Sequence, residues 1–164
     1  MKWYAAYTKP RAEKKSFERL EKAGIACYLP LRPERRKWSD RIKTVLVPLF
    51  TSYLFVYAKE HELNKVRNEG GLVGFITFEG KAVSLPDYQI EMIKKIVADA
   101  EGLEVVPSDM KPGQKIEIIG GRLMGVKGEL IRHQGNHMVL VRLEEIGQGM
   151  IFTIEKENIA SQIK

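Results

Sequence analysis

Two rhythms of apolar and polar residues run along this chain, and they change near residue 98. In the first, short apolar runs alternate with amphipathic stretches. WYAAYT at 3–8 reads as a strand ending at Lys9-Pro10, and Pro10 suits a helix's first turn. Residues 11–23 place Phe17 and Leu20 among eight charged residues, a helix with a narrow apolar stripe that Gly24 would stop. IACYLPL at 25–31 is a second strand, broken by Pro30. Residues 32–43 are mostly charged and read as a mobile loop or hairpin tip, and TVLVP leads on into PLFTSYLFVYA at 48–58. KEHELNKVRN at 59–68 is a short helix with Leu63 and Val66 inward, and LVGFITF at 72–78 is a further strand. Asp87 then caps a helix with Ile90, Ile93, Ile96 and Val97 on one side. Strands alternating with helices predict an α+β layer, a mixed or antiparallel sheet with helices packed on it.

The second rhythm has period two only. Residues 99–110 show no regular period and read as a linker. KIEII, MVLVRL and IFTI follow, rich in β-branched residues and separated by turn signals. Five short strands at this spacing predict a small β-barrel over 111–164, after a first domain over 1–98. Charge divides the same way. Residues 1–100 hold 19 Lys and Arg against 12 Asp and Glu, whereas residues 101–164 hold 8 against 9. An anionic partner therefore belongs to the first domain.

The stretch 48–58 is apolar on both faces if it is one continuous strand. One face carries Phe50, Leu54, Val56 and Ala58, and the other carries Leu49, Tyr53, Phe55 and Tyr57. The second face is a row of aromatics, covered either by helices of the same domain or by a partner.

WYAAYTKPRAEKK, PLFTSYLFVYA and GLVGFITF together resemble the N-terminal domain of NusG-type transcription elongation factors, whose corresponding strand has a P-x-Y-V/L-x-V pattern. PGQKIEIIGGRLMGVKGELI resembles the KOW motif that opens the C-terminal barrel of that family, with Gly128 as its glycine. LFTSYLFVYA is closer to the specialised RfaH-like and UpxY-like paralogues than to housekeeping NusG.

The resemblance implies a bacterial factor that binds the β′ clamp helices of RNA polymerase and suppresses pausing or termination on particular operons. Its groove would hold Tyr7, Tyr53, Phe55 and Phe75 or Phe78. His61 stands where RfaH-like proteins touch the β-subunit gate loop, although the residues after it differ. Lys9, Arg11, Lys14 and Lys15 fill the ground where those relatives contact non-template DNA, and upstream DNA is within the same reading. The bland alternative is a soluble helix face. Where the RfaH-type pattern has a basic residue before the Gly-Val-x-x-Phe strand, this chain has Gly70-Gly71. Leu123, Met124 and Ile146 occupy barrel loops that bind a small-subunit ribosomal protein or Rho in relatives, or else they plug the barrel end. The strand-like tail argues against an RfaH-type helical switch. An RNA-binding or ribosome-associated KOW module is the alternative reading.

From the residues alone, Arg35, Arg36, Lys37 and Arg41 around Trp38 suit single-stranded nucleic acid, or form a solvated hairpin. His133 and His137 flank a Gly135-Asn136 hairpin signal and lack a third ligand, so no metal is expected. GGRLMGVKG fails the phosphate-loop template, since Val126 stands at the lysine position. There is one cysteine, Cys27, with apolar neighbours. The chain is expected to be a cytoplasmic monomer without signal peptide, membrane span, cofactor or catalytic activity.

Overall fold

The computed structural model describes residues 1–133 and 135–161, and the side chains of all but His133, Asn136 and Ser161 among them. The chain divides into two compact units, Met1–Ile90 and Glu91–Lys164.

In the first unit, strand β1 (Lys2–Tyr7) is followed by helix α1 (Glu13–Lys22), which has Ala23 as its C-cap and Gly24 at φ +74. A left-handed residue after a helix closes its last carbonyls, and glycine takes that conformation without a Cβ penalty. Strands β2 (Ala26–Tyr28), β3 (Leu31–Lys37), β4 (Ile42–Pro48) and β5 (Tyr53–Ala58) come next. A 3₁₀ turn at Glu60–Glu62 then runs into α2 (Leu63–Gly70). Four two-residue strands complete the unit: β6 (Gly74–Phe75), β7 (Thr77–Phe78), β8 (Lys81–Ala82) and β9 (Ser84–Leu85). The main sheet has the order β2-β5-β1-β6, with β9 also pairing β1. Its pairings are antiparallel.

Period two decides which side each residue buries. Tyr4, Ala6, Leu54, Val56 and Ala58 form one core with Leu20 of α1 and Leu63 and Val66 of α2. That accounts for the apolar stripes on both helices. Phe50 departs from the expected face. Its ring lies 6.1 Å from Phe55, at 89°, and so belongs with the aromatics. Strand β5 starts only at Tyr53, and Ser52 at φ +65 turns the chain just before it, which resets the alternation.

Of the two forms expected for the charged stretch after residue 31, loop or hairpin, the chain takes the hairpin. β3 and β4 form a separate two-stranded ribbon with seven paired positions, from Leu31↔Pro48 to Lys37↔Ile42. The expected strand at 72–78 is two short pieces, since Gly74–Phe75 joins β1 while Thr77–Phe78 pairs with β8.

Helix α3 (Asp87–Asp99) runs across the division between the two compact units. Asp87 is its first residue instead of its cap. Ile90, Ile93 and Ile96 are fully buried.

The second unit is a six-stranded antiparallel sheet of order β10-β14-β13-β12-β11-β15. These are β10 (Glu101–Pro107), β11 (Gln114–Ile118), β12 (Lys127–His133), β13 (Asn136–Leu143), β14 (Gln148–Thr153) and β15 (Ile159–Ser161). The five expected strands are present. The sixth, β10, forms inside the stretch read as a linker and pairs with β14. Ile116, Ile118, Val139, Val141, Met150 and Phe152 are among its buried residues. The fold is α+β, an N-terminal sheet with packed helices followed by a C-terminal all-β unit. Gln134 of the expected Gln-Gly-Asn turn lies outside the described residues.

Candidate functional site

The face of the N-terminal sheet opposite α1 and α2 is a ladder of aromatic pairs. Tyr7 on β1 stands across from Tyr53 on β5, with rings 4.9 Å apart. Trp3 stands across from Tyr57, with rings 5.1 Å apart. Between them Ala5 faces Phe55, and Tyr28 of β2 stacks on Phe55 at 6.3 Å and 23°. Cross-strand aromatic pairs stabilise a sheet and hold their rings in place. Exposure varies along the ladder. Ala5 and Phe55 are buried, Tyr53, Tyr57 and Trp3 are half-buried, and Tyr7 is exposed.

Tyr7 and Tyr53 are also linked through their phenols. Burial pushes the Tyr53 phenol up to about 12, and a hydrogen bond with Tyr7 adds to the effect. The pair presents a large apolar area with polar tips, the kind of surface enriched at binding hot spots.

The candidates do not all meet on this face. Tyr7, Tyr53 and Phe55 do. Phe75 lies on the other side of the sheet, where it pairs with Ala6, packs against the helix-side core and meets Tyr4 edge-on at 6.4 Å. Phe78 projects from the β7–β8 hairpin with 70% of its surface exposed. His61 is exposed in the 3₁₀ turn before α2, and it lines a cleft with Lys2, Tyr4 and Glu60. Trp3, Tyr28 and Tyr57 extend the ladder beyond the expected set. Period two through Trp3, Ala5 and Tyr7 carried that signal for Trp3.

The chain passes directly from Tyr7 into a basic corner. Lys9, Arg11, Lys14 and Lys15 are all exposed there. Arg11 sits at φ +62, a left-handed conformation that costs a non-glycine residue about 1 kcal/mol. Thr8 N–H donates to Ser52 O at 2.9 Å, and Ser52 N–H donates to the buried Glu13 carboxylate at 3.4 Å. The start of α1 is thereby tied to the turn that delivers Tyr53. Lys14 Nζ donates to Leu46 O at 2.5 Å, so its ammonium sits against the ribbon. On that ribbon Arg35, Arg36 and Lys37 are exposed, as are Trp38 and Arg41 at the tip.

In the second unit Met124 is 58% exposed, whereas Leu123 and Ile146 are buried. Lys95 Nζ donates to Met124 O at 2.5 Å, and Arg122 pairs with Asp99 at 3.6 Å. Arg142 forms a bidentate pair with Glu129 at 2.6 and 3.2 Å and also donates to Ser108 O and Met110 O. Cys27 is half-buried, and burial pushes its thiol up to about 11, with Glu21 adding to the effect. Among the described residues no group of three or more His, Cys, Asp or Glu could hold a metal ion, and no helix is long and apolar enough to cross a membrane.

A family profile described as "Transcription termination factor nusG" matches residues 1–94, more than half of the chain. The chain belongs to the NusG family. A solved structure of Thermotoga maritima NusG, described by its domain interaction, matches with a TM-score of 0.57 at 20% identity. That match covers 99% of this chain and 97% of the other, so the two-unit NusG architecture extends past the profile. A chain of the MjSpt4:Spt5 complex aligns over 99% of both chains at 17% identity, with a TM-score of 0.33. Curated protein sequences offer no match. The family is one of transcription factors, and this chain shares its fold.

Proposed function

We propose that this NusG-family chain is a bacterial elongation factor, a specialised paralogue of the RfaH-like and UpxY-like kind. It grips the β′ clamp helices of RNA polymerase with its aromatic ladder. The observation that carries the reading is the Tyr7–Tyr53 pair, amphipathic and open at its Tyr7 end, beside an exposed basic corner. A helix laid against an apolar surface is a recurring recognition mode, and Tyr is a common anchor in it. Phe55 is buried, so it supports the ladder from below while Tyr7 and Tyr53 touch the partner. Phe78 and His61 are exposed and stay available for further polymerase contacts, His61 toward the β gate loop. Lys9, Arg11, Lys15 and the ribbon cations contact upstream or non-template DNA. Met124 heads the loop patch that recruits a ribosomal protein or Rho.

Suppression of pausing follows only if the factor binds the active, closed-clamp polymerase more tightly than the paused one, and the shift cannot exceed that ratio of affinities. The test is binding of wild type and Tyr53→Ala to purified bacterial RNA polymerase, with circular dichroism as a fold control. Wild type binds, and the folded variant is weaker by about thirtyfold, the loss of a hot spot of about 2 kcal/mol. Absence of wild-type binding, together with tight salt-sensitive RNA binding, would replace this reading with an RNA-binding module.

A further inference from the structure

The β3–β4 ribbon has two unlike faces. Pro33, Arg35, Lys37, Ile42, Thr44 and Leu46 share one face by register, and each of them is exposed. On the other face Arg32, Glu34, Val45 and Val47 are half-buried, and only the Arg36–Lys43 pair near the tip is exposed. The ribbon thus turns an alternating face outward, with cations on one strand and aliphatics on the other. Ile42 and Leu46 are 59% and 53% exposed, so the basic face has an apolar edge. Six cations against two anions over residues 31–48 make the segment strongly basic.

We propose that this outward face docks in the major groove of B-form duplex DNA. The inference rests on the DNA-contacting part of the function proposed above and names the form of nucleic acid. Two antiparallel strands lie about 4.8 Å apart, and a groove about 12 Å wide admits such a ribbon with its side chains. Arg35 and Lys37 reach phosphates or guanine edges from β3, and Ile42 and Leu46 on β4 meet thymine methyl groups. The charge calls for a polyanion. Single strands are held on platforms of several stacked aromatics, and this ribbon offers Trp38 alone, at its tip. The major groove of duplex RNA is too deep and narrow for side chains to read. Lys14, bonded to Leu46 O, braces the ribbon against α1.

The test uses the full chain at low salt with a short mixed-sequence DNA duplex, its single strand and the RNA duplex of the same sequence. Anisotropy gives affinity, and dimethyl sulfate reports guanine N7 in the major groove. Wild type prefers the DNA duplex and protects N7. Arg35→Glu with Lys37→Glu weakens duplex binding at least about tenfold and makes the salt slope shallower by about 2. Lys22→Glu with Lys65→Glu changes net charge equally but lies on exposed positions of α1 and α2, outside the ribbon, and it costs far less. Preference for the single strand or for duplex RNA, unprotected N7, or equal loss in both double variants would overturn the inference. If Tyr53→Ala leaves polymerase binding intact while N7 is protected, the aromatic reading falls and this one stands. If polymerase binds through Tyr53 and N7 stays reactive, this one falls alone.

Discussion

Tyr53 keeps its proton at pH values where an ordinary tyrosine has lost it. Burial, and then the hydrogen bond with Tyr7, raise it from 10.0 to about 12. In the unfolded chain it ionises near 10. The neutral phenol therefore stabilises the fold fully below pH 10, and that contribution disappears as pH rises to about 12. Urea unfolding across this window is expected to show a steeper fall in stability for wild type than for Tyr53→Phe, which has no proton to lose. Equal slopes would mean the phenol is solvated. At this scale the sequence was legible where period two ran unbroken, so Tyr53, Phe55 and Tyr57 share their expected face. It failed at Phe50, because a turn at Ser52 reset the phase. It failed at Phe75 too, because which face of the sheet that ring takes depends on its pairing with Ala6, far away along the chain.

Among the elements, β12 and β13 approach so closely that Gly128 has no room for a side chain. A Cβ there would lie 2.7 Å from both Leu140 O and Val139 Cγ1. Gly128→Ala should cost about 1–3 kcal/mol through overpacking. The Glu129–Arg142 pair beside it is 17% and 15% exposed and pins the segment between β10 and β11. Arg142 holds the Glu129 carboxyl below its ordinary value against the opposing effect of burial. Its contribution is complete above pH 4.5 and is lost as pH falls through the lowered value. The glycine was marked by resemblance alone, and its physical reason needed the paired strand. β10 was missed for a related cause. Its Val105 and Val106 sit among acids and a proline, and its partner β14 lies more than forty residues on. The ribbon was legible only as one of two alternatives, loop or hairpin, because charged strands carry no apolar period.

For the whole molecule, charge and folding divide together. Residues 1–90 carry 17 Lys and Arg against 10 Asp and Glu, and residues 91–164 carry 10 against 11. Each unit has buried apolar side chains of its own. Calorimetry should therefore give a transition broader than a single two-state step, with Gly128→Ala lowering only the part that belongs to Glu91–Lys164. A single sharp transition shifted as a whole would show that the units unfold as one. The two-part organisation was legible in the change of rhythm and charge. Helix α3 runs through the division between the compact units, so no change of pattern marks that point along the chain.

Cys27 turns out to be a convenience for the spectroscopist. With its thiol at about 11, only about one molecule in ten thousand carries the thiolate at pH 7, so maleimides and spin labels should ignore it. Ser39→Cys, at the exposed ribbon tip, would then be the one fast-reacting thiol in an otherwise natural chain. A dye placed there should attach at least a hundredfold faster than wild type is modified. Its distance to a labelled duplex could then follow the ribbon during transcription.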